Sequence, residues 1–273
     1  MIKLIALDLD NTLLEKNNAI HPRTLYLLRK CISQGIHIVI ATGRIYLSAK
    51  KYAAEIGSEC KILCYNGSLI TESDGRPLFS AELSTDIMKK IVSFCKKKDL
   101  YCQFYKDHKI LVERVTKDTT IDPDLANTQA IEAESFDDYI FSPSPKAMIV
   151  APPERVPYYQ AELDRYLAGN AYLAQSQPYL IEIMPKSVNK AKSLELLCNH
   201  LGITSNQVMA CGDNTNDAEM IRFSGVGVAV ANAVDSLKSS AFYVCANQRS
   251  LGVAEAIEKF CINTTPSESS SSL

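Results

Sequence analysis

Short apolar runs recur along the chain, and several of them stop abruptly at small polar residues. Residues 2–7 are almost entirely apolar, which is typical of a strand buried on both faces of a parallel sheet. Similar runs occur at residues 36–40, 62–65 and 208–211. Between them lie segments with apolar residues three or four apart, as in amphipathic helices. This alternation predicts an α/β fold with a doubly wound, Rossmann-like parallel sheet.

The rhythm changes in the middle of the chain. Two candidate strands are joined by the turn-like residues 106–109, and other short strands follow with only two helical segments among them. This pattern indicates an α+β module inserted into the first fold, although residues 115–145 predict no element. The predicted organisation is a discontinuous α/β core domain of residues 1–83 and 185–263, an α+β cap domain of residues 84–184, and a disordered serine-rich tail of residues 264–273.

Composition narrows the class of protein. The chain has 273 residues, of which 47% are hydrophobic and 22% charged, and its net charge is −2. These values predict a globular protein with no general attraction to nucleic acid or to an anionic membrane. The N-terminus lacks the pattern of a signal peptide. The nine cysteines form no CxxC pair, so buried free thiols in a reducing cytoplasm are expected rather than zinc ligands or disulfides.

Polar residues that could carry chemistry follow the predicted core strands or begin the helix after the cap. They are Asp8 and Asp10, then Thr42, Gly43 and Arg44, then Lys190, and finally Asp213, Asn216 and Asp217. The carboxyl ends of parallel strands meet at one edge of a sheet, so we expect these groups to converge. Several carboxylates together need a hard cation such as Mg²⁺, whereas a hydroxyl, an ammonium and a helix N-terminus favour an anion. Such a combination suits phosphoryl transfer.

Each of these elements alone also fits a purely structural role. Asp8 and Asp10 could occupy a solvated turn, and Thr42 could only cap the helix that follows it. Lys190 could be a solvated lysine, and Asp217 could be the N-cap of a helix after an ordinary polar turn. All four structural interpretations would have to hold together, each at the end of a strand or the start of a helix.

Four short motifs resemble those of the haloacid dehalogenase superfamily. They are DLDNTL at 8–13, ATGR at 41–44, Lys190 before an apolar helix, and GDNTND at 212–217. The NGS at 66–68, the inserted module and GVAEAIEKF at 252–260 are similar to Cof-type members with a type IIB cap. The resemblance covers nearly the whole chain apart from the tail.

The resemblance implies a role for each matching residue. Asp8 would be the nucleophile, and Asp10 the general acid that later acts as a base. The phosphate site would contain Thr42, Gly43, Arg44, Asn66, Lys190 and Asn216. The Mg²⁺ site would contain Asp8, Asp10 through its backbone carbonyl, Asp213 and Asp217. Asn216 and Asp217 would also support the metal and orient Lys190.

Two positions depart from the family pattern. Asn11 and Ala191 stand where glycine is usual. We expect Asn11 to be tolerated, because asparagine is the residue other than glycine that best adopts a left-handed backbone. Ala191 suits a helix and affects at most a local backbone contact with phosphate.

These observations predict a Mg²⁺-dependent phosphatase that hydrolyses small phosphorylated metabolites through an aspartyl-phosphate. Sugar phosphates are the favoured substrates, with flavin mononucleotide, pyridoxal phosphate or a nucleotide as further candidates. One alternative is a hexose phosphomutase, although Arg114, Arg155 and Arg165 are scattered along the cap. Another is a phosphometabolite-binding protein without turnover. The expected partner is a small phosphate ester, with no nucleic acid or membrane, and the expected state is a cytoplasmic monomer or weak homodimer.

Overall fold

The computed structural model describes residues 1–133, 135–136 and 143–262. Its strands are β1 (Leu4–Leu7), β2 (His37–Ala41), β3 (Lys61–Cys64), β4 (Leu69–Thr71), β5 (Pro77–Ser80), β6 (Tyr101–Lys106), β7 (Lys109–Val112), β8 (Ala130–Glu132), β9 (Ala147–Val150), β10 (Ala171–Ala174), β11 (Leu180–Pro185), β12 (Val208–Gly212), β13 (Val226–Ala229) and β14 (Tyr243–Val244). Its α-helices are α1 (Pro22–Ser33), α2 (Tyr46–Ile56), α3 (Thr85–Lys98), α4 (Val156–Tyr166), α5 (Lys190–Leu201), α6 (Ala218–Phe223), α7 (Asp235–Lys238) and α8 (Arg249–Phe260).

The larger sheet has eight strands in the order β14-β13-β12-β1-β2-β3-β4-β5. β1 lies near its centre and pairs in parallel with β2 and β12, so that Leu4 is opposite both His37 and Val208. Every residue of β1 is buried, as expected for a parallel strand covered on both faces. Helix α1 packs on α8 and β2, and α5 packs on α6 and β3. The predicted doubly wound sheet is confirmed, with β4 and β5 as an antiparallel hairpin at one edge.

The smaller sheet has six strands in the order β10-β11-β9-β6-β7-β8. Its pairs are antiparallel except for β7 with β8, and helices α3 and α4 pack against it. A separate hydrophobic cluster, which includes Phe104 and Phe136, fills the space between sheet and helices. The inserted α+β module is therefore confirmed; the proposed boundaries of 84 and 184 stay a prediction.

The polar stretch 115–145 differs most from the sequence analysis. Its described part contains two single turns, at Thr119–Ile121 and Pro123–Asn127, and the strand β8. A three-residue strand between polar residues has too short a pattern to be recognised, and only its pairing with β7 defines it. The predicted disordered tail lies outside the described residues.

None of the nine cysteines forms a disulfide, and all but Cys261 are buried, in agreement with the predicted free thiols. Over residues 1–133, 135–136 and 143–262, no helix combines the length and the apolar character that crossing a bilayer would require.

Candidate active site

Three carboxylates from opposite ends of the chain meet at the carboxyl edge of the larger sheet. Asp8 follows β1, and its backbone N–H donates to the carbonyl of Cys211 at 3.1 Å. Asp213 and Asp217 follow β12, and one oxygen from each of the three carboxylates lies within 4.8 Å of the others. All three residues are less than a tenth exposed. Crowding of buried carboxylates is unfavourable unless a cation or a proton offsets it.

Lys190 lies between two of these carboxylates. Its Nζ donates to Oδ1 of Asp8 and to Oδ1 of Asp217, both at 2.7 Å. Lys190 is the first residue of α5, whose N-cap Asn189 accepts a hydrogen bond from the Lys192 N–H at 2.7 Å. This start of the helix places the ammonium in the site rather than in solvent, where a lysine usually lies.

The charges of this group shift one another's pKa. Burial raises the pKa of Asp8 well above its ordinary value; Lys190 opposes this rise, and Asp217 adds to it. Burial alone would lower the pKa of Lys190, but the charges of Asp217 and Asp8 outweigh it, so the ammonium stays protonated. Burial and the charge of Asp217 raise the pKa of Asp213 to about 7.

Whether the site could hold a metal ion depends on which carboxylate oxygens are not already used in hydrogen bonds. Asp217 is fully engaged, because its Oδ2 accepts from the backbone N–H groups of Asp213 and Asn214 at 3.0 and 3.1 Å. Oδ1 of Asp213 accepts from the Thr12 hydroxyl at 3.0 Å. Within the described residues, Oδ2 of Asp8 and Oδ2 of Asp213 have no hydrogen-bond partner. Two such oxygens fit a hard divalent cation such as Mg²⁺.

The Asp10 carboxylate lies outside this acidic group. Its Oδ2 accepts from Nε of Arg44 at 2.8 Å, and its Oδ1 accepts from Nη2 of the same guanidinium at 2.5 Å. Burial alone would lower the pKa of Arg44, but the hydrogen bonds and charge of Asp10 raise it, so the guanidinium stays charged. The structure therefore joins two predicted site residues to each other, and the Asp10 side chain is not among the crowded carboxylates.

The backbone at Asn11, beside Asp10, has a left-handed conformation that accounts for an asparagine where the family usually has glycine. Asn11 has φ 61°, in the left-handed region that asparagine tolerates. Thr42 is buried, and its hydroxyl oxygen accepts from the Arg44 N–H at 3.1 Å, which leaves the hydroxyl hydrogen available to an anion. Ala191 lies within α5 as expected.

The loop after β3 adds an amide to the site through a strained backbone. Tyr65, Asn66 and Gly67 have φ of 51°, 53° and 107°, and such clusters of unusual backbone geometry are frequent at functional sites. Oδ1 of Asn66 accepts from Nδ2 of Asn216 at 3.3 Å, so two predicted phosphate-site residues are in contact. The carbonyl of Gly67 accepts from the Ser193 hydroxyl at 2.8 Å, which ties the loop to α5.

Three residues that contact this site were not predicted from the sequence. Thr12 binds Asp213, as described above, and the DLDNTL motif contained it. Lys146 and Glu182 come from the smaller sheet, and they form an ion pair of 3.0 Å over the core loops. The sequence pattern that could have indicated Lys146 and Glu182 is a single charged residue beside or within an apolar strand, as in KAMIV and LIEIMP.

A cavity of about 640 Å³ lies between the two sheets and opens onto the carboxylates. Its walls come from both parts of the chain, and its polar lining residues include Asp8, Asp10, Arg44, Lys51, Asp122, Asp124, Lys146, Glu182, Asp213 and Asn216. A volume of this size accommodates a small metabolite.

Comparison with known proteins identifies the family. Residues 5–257 match the haloacid dehalogenase-like hydrolases. An HMP-PP phosphatase of Serratia proteamaculans is 27% identical over 239 residues, which cover 88% of this chain and 87% of that protein. A 5-amino-6-(5-phospho-D-ribitylamino)uracil phosphatase of Bacillus subtilis is 27% identical over 94% of this chain and 97% of its own length.

The fold comparison agrees with the sequence comparison. The crystal structure of a haloacid dehalogenase-like hydrolase from Bacteroides thetaiotaomicron superposes with a TM-score of 0.83 and 30% identity, covering 95% of this chain and 99% of that chain. The predicted resemblance is confirmed over both sheets, and the chain therefore belongs to the haloacid dehalogenase-like hydrolase family.

Proposed function

We propose that the protein is a Mg²⁺-dependent phosphatase that hydrolyses small phosphorylated metabolites through an aspartyl-phosphate on Asp8. Hydrolysis of phosphoric monoesters is supported by the family and by relatives that are named as phosphatases. The observation that carries the mechanism is the buried meeting of Asp8 with Asp213 and with the ammonium of Lys190. This arrangement presents a nucleophile, a cation site and a positive charge together.

The metal would be held by Asp8 and Asp213, whose Oδ2 atoms are free of hydrogen bonds within the described part of the chain. When bound, Mg²⁺ supplies positive charge that neutralises the phosphoryl oxygens and brings them to the nucleophile. Asp217 uses both of its oxygens to hold Lys190 and the loop after β12, so we assign it a supporting role. The carbonyl of Asp10 remains a proposed ligand.

The bonds that form and break in the covalent step belong to Asp8, Asp10 and the substrate. A carboxylate oxygen of Asp8 forms a bond to phosphorus while the bond to the leaving alkoxide breaks, and the proton from Asp10 goes to that alkoxide. Thr42 and Lys190 stabilise the charge on the phosphoryl oxygens. A water molecule then gives a proton to Asp10 while its oxygen forms a bond to phosphorus. The bond from phosphorus to the Asp8 oxygen breaks in this step, which releases inorganic phosphate and restores the Asp8 carboxylate. Because both carboxylate oxygens of Asp10 are bound by Arg44, Asp10 must leave Arg44 before it can reach the leaving group or the water molecule.

The charge of the cap side of the cavity favours a hydrolase over a mutase. Asp122, Asp124 and Glu182 face the cavity from the cap, and Lys146 is the one cation among the described cap residues that line it. A bisphosphate intermediate needs cations there. We therefore propose a leaving group rich in hydroxyl groups, such as a sugar or sugar alcohol, in line with the ribityl compound in the name of the Bacillus relative. A cytoplasmic monomer or weak homodimer remains part of the proposal.

The test is hydrolysis of an aryl phosphate by the purified chain with Mg²⁺, followed by a panel of sugar phosphates. We expect turnover that is lost in EDTA and in D8N. Full activity of D8N or of the EDTA-treated enzyme would refute the mechanism. Isomerisation of a hexose phosphate without release of phosphate would favour the mutase, and ligand affinity without any turnover would favour a binding protein.

A further inference from the structure

A buried ion pair of the cap touches the core rather than only the cap. Lys146 directly precedes β9, and Glu182 lies within β11, the neighbouring strand. Both residues are 3% exposed, and Nζ of Lys146 lies 3.0 Å from Oε1 of Glu182. Nζ of Lys146 also lies 4.8 Å from the centre of the Tyr105 ring, which adds a cation–π contact.

Each member of the pair also makes one hydrogen bond across to the core. Nζ of Lys146 donates to the carbonyl of Gly43 at 2.9 Å. Oε2 of Glu182 accepts from Nδ2 of Asn66 at 3.2 Å. Asn66 in turn accepts from Asn216, so the cap pair is continuous with loops that follow β2, β3 and β12. These loops carry the proposed phosphate-binding residues.

Fold stability alone gives little reason for such a pair. Burying two charges costs desolvation that their attraction only roughly offsets, and an apolar pair of the same volume often serves stability as well. Here each charge faces a core group of complementary polarity: the Lys146 ammonium faces a carbonyl oxygen, and the Glu182 carboxylate faces an amide N–H. The charges of Glu182 and other carboxylates outweigh burial and raise the pKa of Lys146, so the ammonium stays charged.

We propose that Lys146 and Glu182 are positioning residues that couple docking of the cap to the geometry of the phosphate pocket. When the cap is docked, the pair holds the Gly43 carbonyl and the Asn66 amide in the arrangement that binds the phosphoryl group. When the cap separates, both core loops lose these contacts. Assignment of the pocket to a phosphoryl group rests on the proposed function; the coupling of cap to loops does not.

Charge reversal separates this role from a structural one. K146E/E182K retains an ion pair within the cap but turns a carboxylate toward the Gly43 carbonyl and an ammonium toward the Asn66 amide. A merely structural pair tolerates this exchange. A positioning pair does not, and we expect kcat/KM for an aryl phosphate to fall on the order of 10- to 100-fold. Inhibition by inorganic phosphate should weaken in the same variant.

The matched control is K98E/E162K, which reverses a pair of 2.7 Å on the helices of the cap, away from the core loops. Hydrogen–deuterium exchange supplies a readout that needs no turnover. Amides of residues 41–45 and 65–68 should exchange faster in K146E/E182K than in the wild type and the control. If K146E/E182K does not unfold cooperatively, K146M/E182L replaces it, because this variant removes both charges at similar side-chain volume. Its activity and its amide exchange are measured in the same way.

The outcomes distinguish the two proposals. A wild-type enzyme that turns over, together with a folded reversed variant of unchanged activity and unchanged exchange, overturns the positioning role and leaves the phosphatase intact. A wild-type protein without turnover refutes the proposed function, and the exchange of the two loops then decides the coupling alone. Faster exchange limited to these loops supports the coupling.

Discussion

Replacing Asp8 by asparagine should remove the activity and yet stabilise the metal-free fold. The substitution keeps the size of the side chain and removes one negative charge from the group of three buried carboxylates. The pKa of Asp8 is raised by burial, which means that the folded state disfavours its charged form. Function and stability therefore make opposite demands at this position.

The distances give the size of the effect. With oxygens within 4.8 Å, the repulsion of Asp8 by each of its two neighbouring carboxylates is about 3.5 kcal/mol at an effective dielectric constant of about 20. The attraction of Lys190 at 2.7 Å is about 6 kcal/mol on the same basis. Repulsion exceeds attraction by about 1 kcal/mol, and desolvation of the carboxylate acts in the same direction. The free energy of unfolding of metal-free D8N should therefore exceed that of the wild type by about 1 kcal/mol or more.

The assay is urea unfolding in EDTA and again in excess Mg²⁺, at pH 8.5, where Asp213 with its pKa of about 7 is ionised and repels Asp8 in full. In EDTA, D8N should be more stable than the wild type, whereas D164N, an exposed control on α4, should lie within about 0.5 kcal/mol of it. Added Mg²⁺ should stabilise the wild type through binding to the folded state, and D8N less. The difference should therefore shrink or reverse when the metal is present.

A D8N protein that is less stable than the wild type by more than about 1 kcal/mol in EDTA would refute this reasoning. That result would mean that the contact with Lys190 dominates and that the carboxylates are not under mutual repulsion. An equal response of both proteins to Mg²⁺ would separately exclude Asp8 from the metal site.

Three further changes test other parts of the structure. K190M should lower kcat for an aryl phosphate about 10²- to 10³-fold in steady-state assays, since the proposed mechanism uses the Lys190 charge to stabilise the transition state. G67A should cost about 2 kcal/mol or more in urea unfolding, because φ is +107° and a Cβ would lie 2.5 Å from Oγ of Ser193. G35A is the control, because Gly35 has φ +79° but a Cβ there would meet no atom within 4 Å, so its cost should stay near about 1 kcal/mol. If G35A and G67A lose the same stability, a clash between the Cβ added by G67A and Ser193 is excluded. Burial raises the pKa of Asp124 to about 6 from an ordinary 3.8. Between pH 3.8 and 6 the folded protein therefore keeps a proton on Asp124 that the unfolded chain loses. The stability of the wild type falls as the pH rises through this range. D124N should therefore gain up to about 3 kcal/mol on the wild type between pH 4 and 7, and a difference independent of pH would contradict this sign.

The core fold could be predicted because its signal is local. The strand β1 is a short apolar run that ends at Asp8, and such a run suits a parallel strand buried on both faces. Helix α5 begins at Lys190 and ends before Gly202, which has φ 68° as a helix C-cap glycine requires. Patterns of this kind depend on neighbours along the chain, so the sequence contains them.

Contacts between distant segments could not be predicted in the same way. The pairing of Asp10 with Arg44 and the bond from Thr12 to Asp213 depend on side-chain directions that periodicity does not give. The same holds for Lys146 and Glu182, which reach the core only because the smaller sheet lies over it. The sequence indicated which edge of the sheet would be polar, but not which polar groups would bind one another.

These contacts also bear on how the site responds to a metal. Lys190 joins the loop after β1 to the loop after β12 through Asp8 and Asp217, and Thr12 adds a second link through Asp213. The carboxylates therefore converge through bonds of the chain itself, and a cation would enter a site that already exists. Binding to such a preformed site requires little ordering of the chain, so Mg²⁺ should raise stability by occupying the site, without a change in the content of secondary structure.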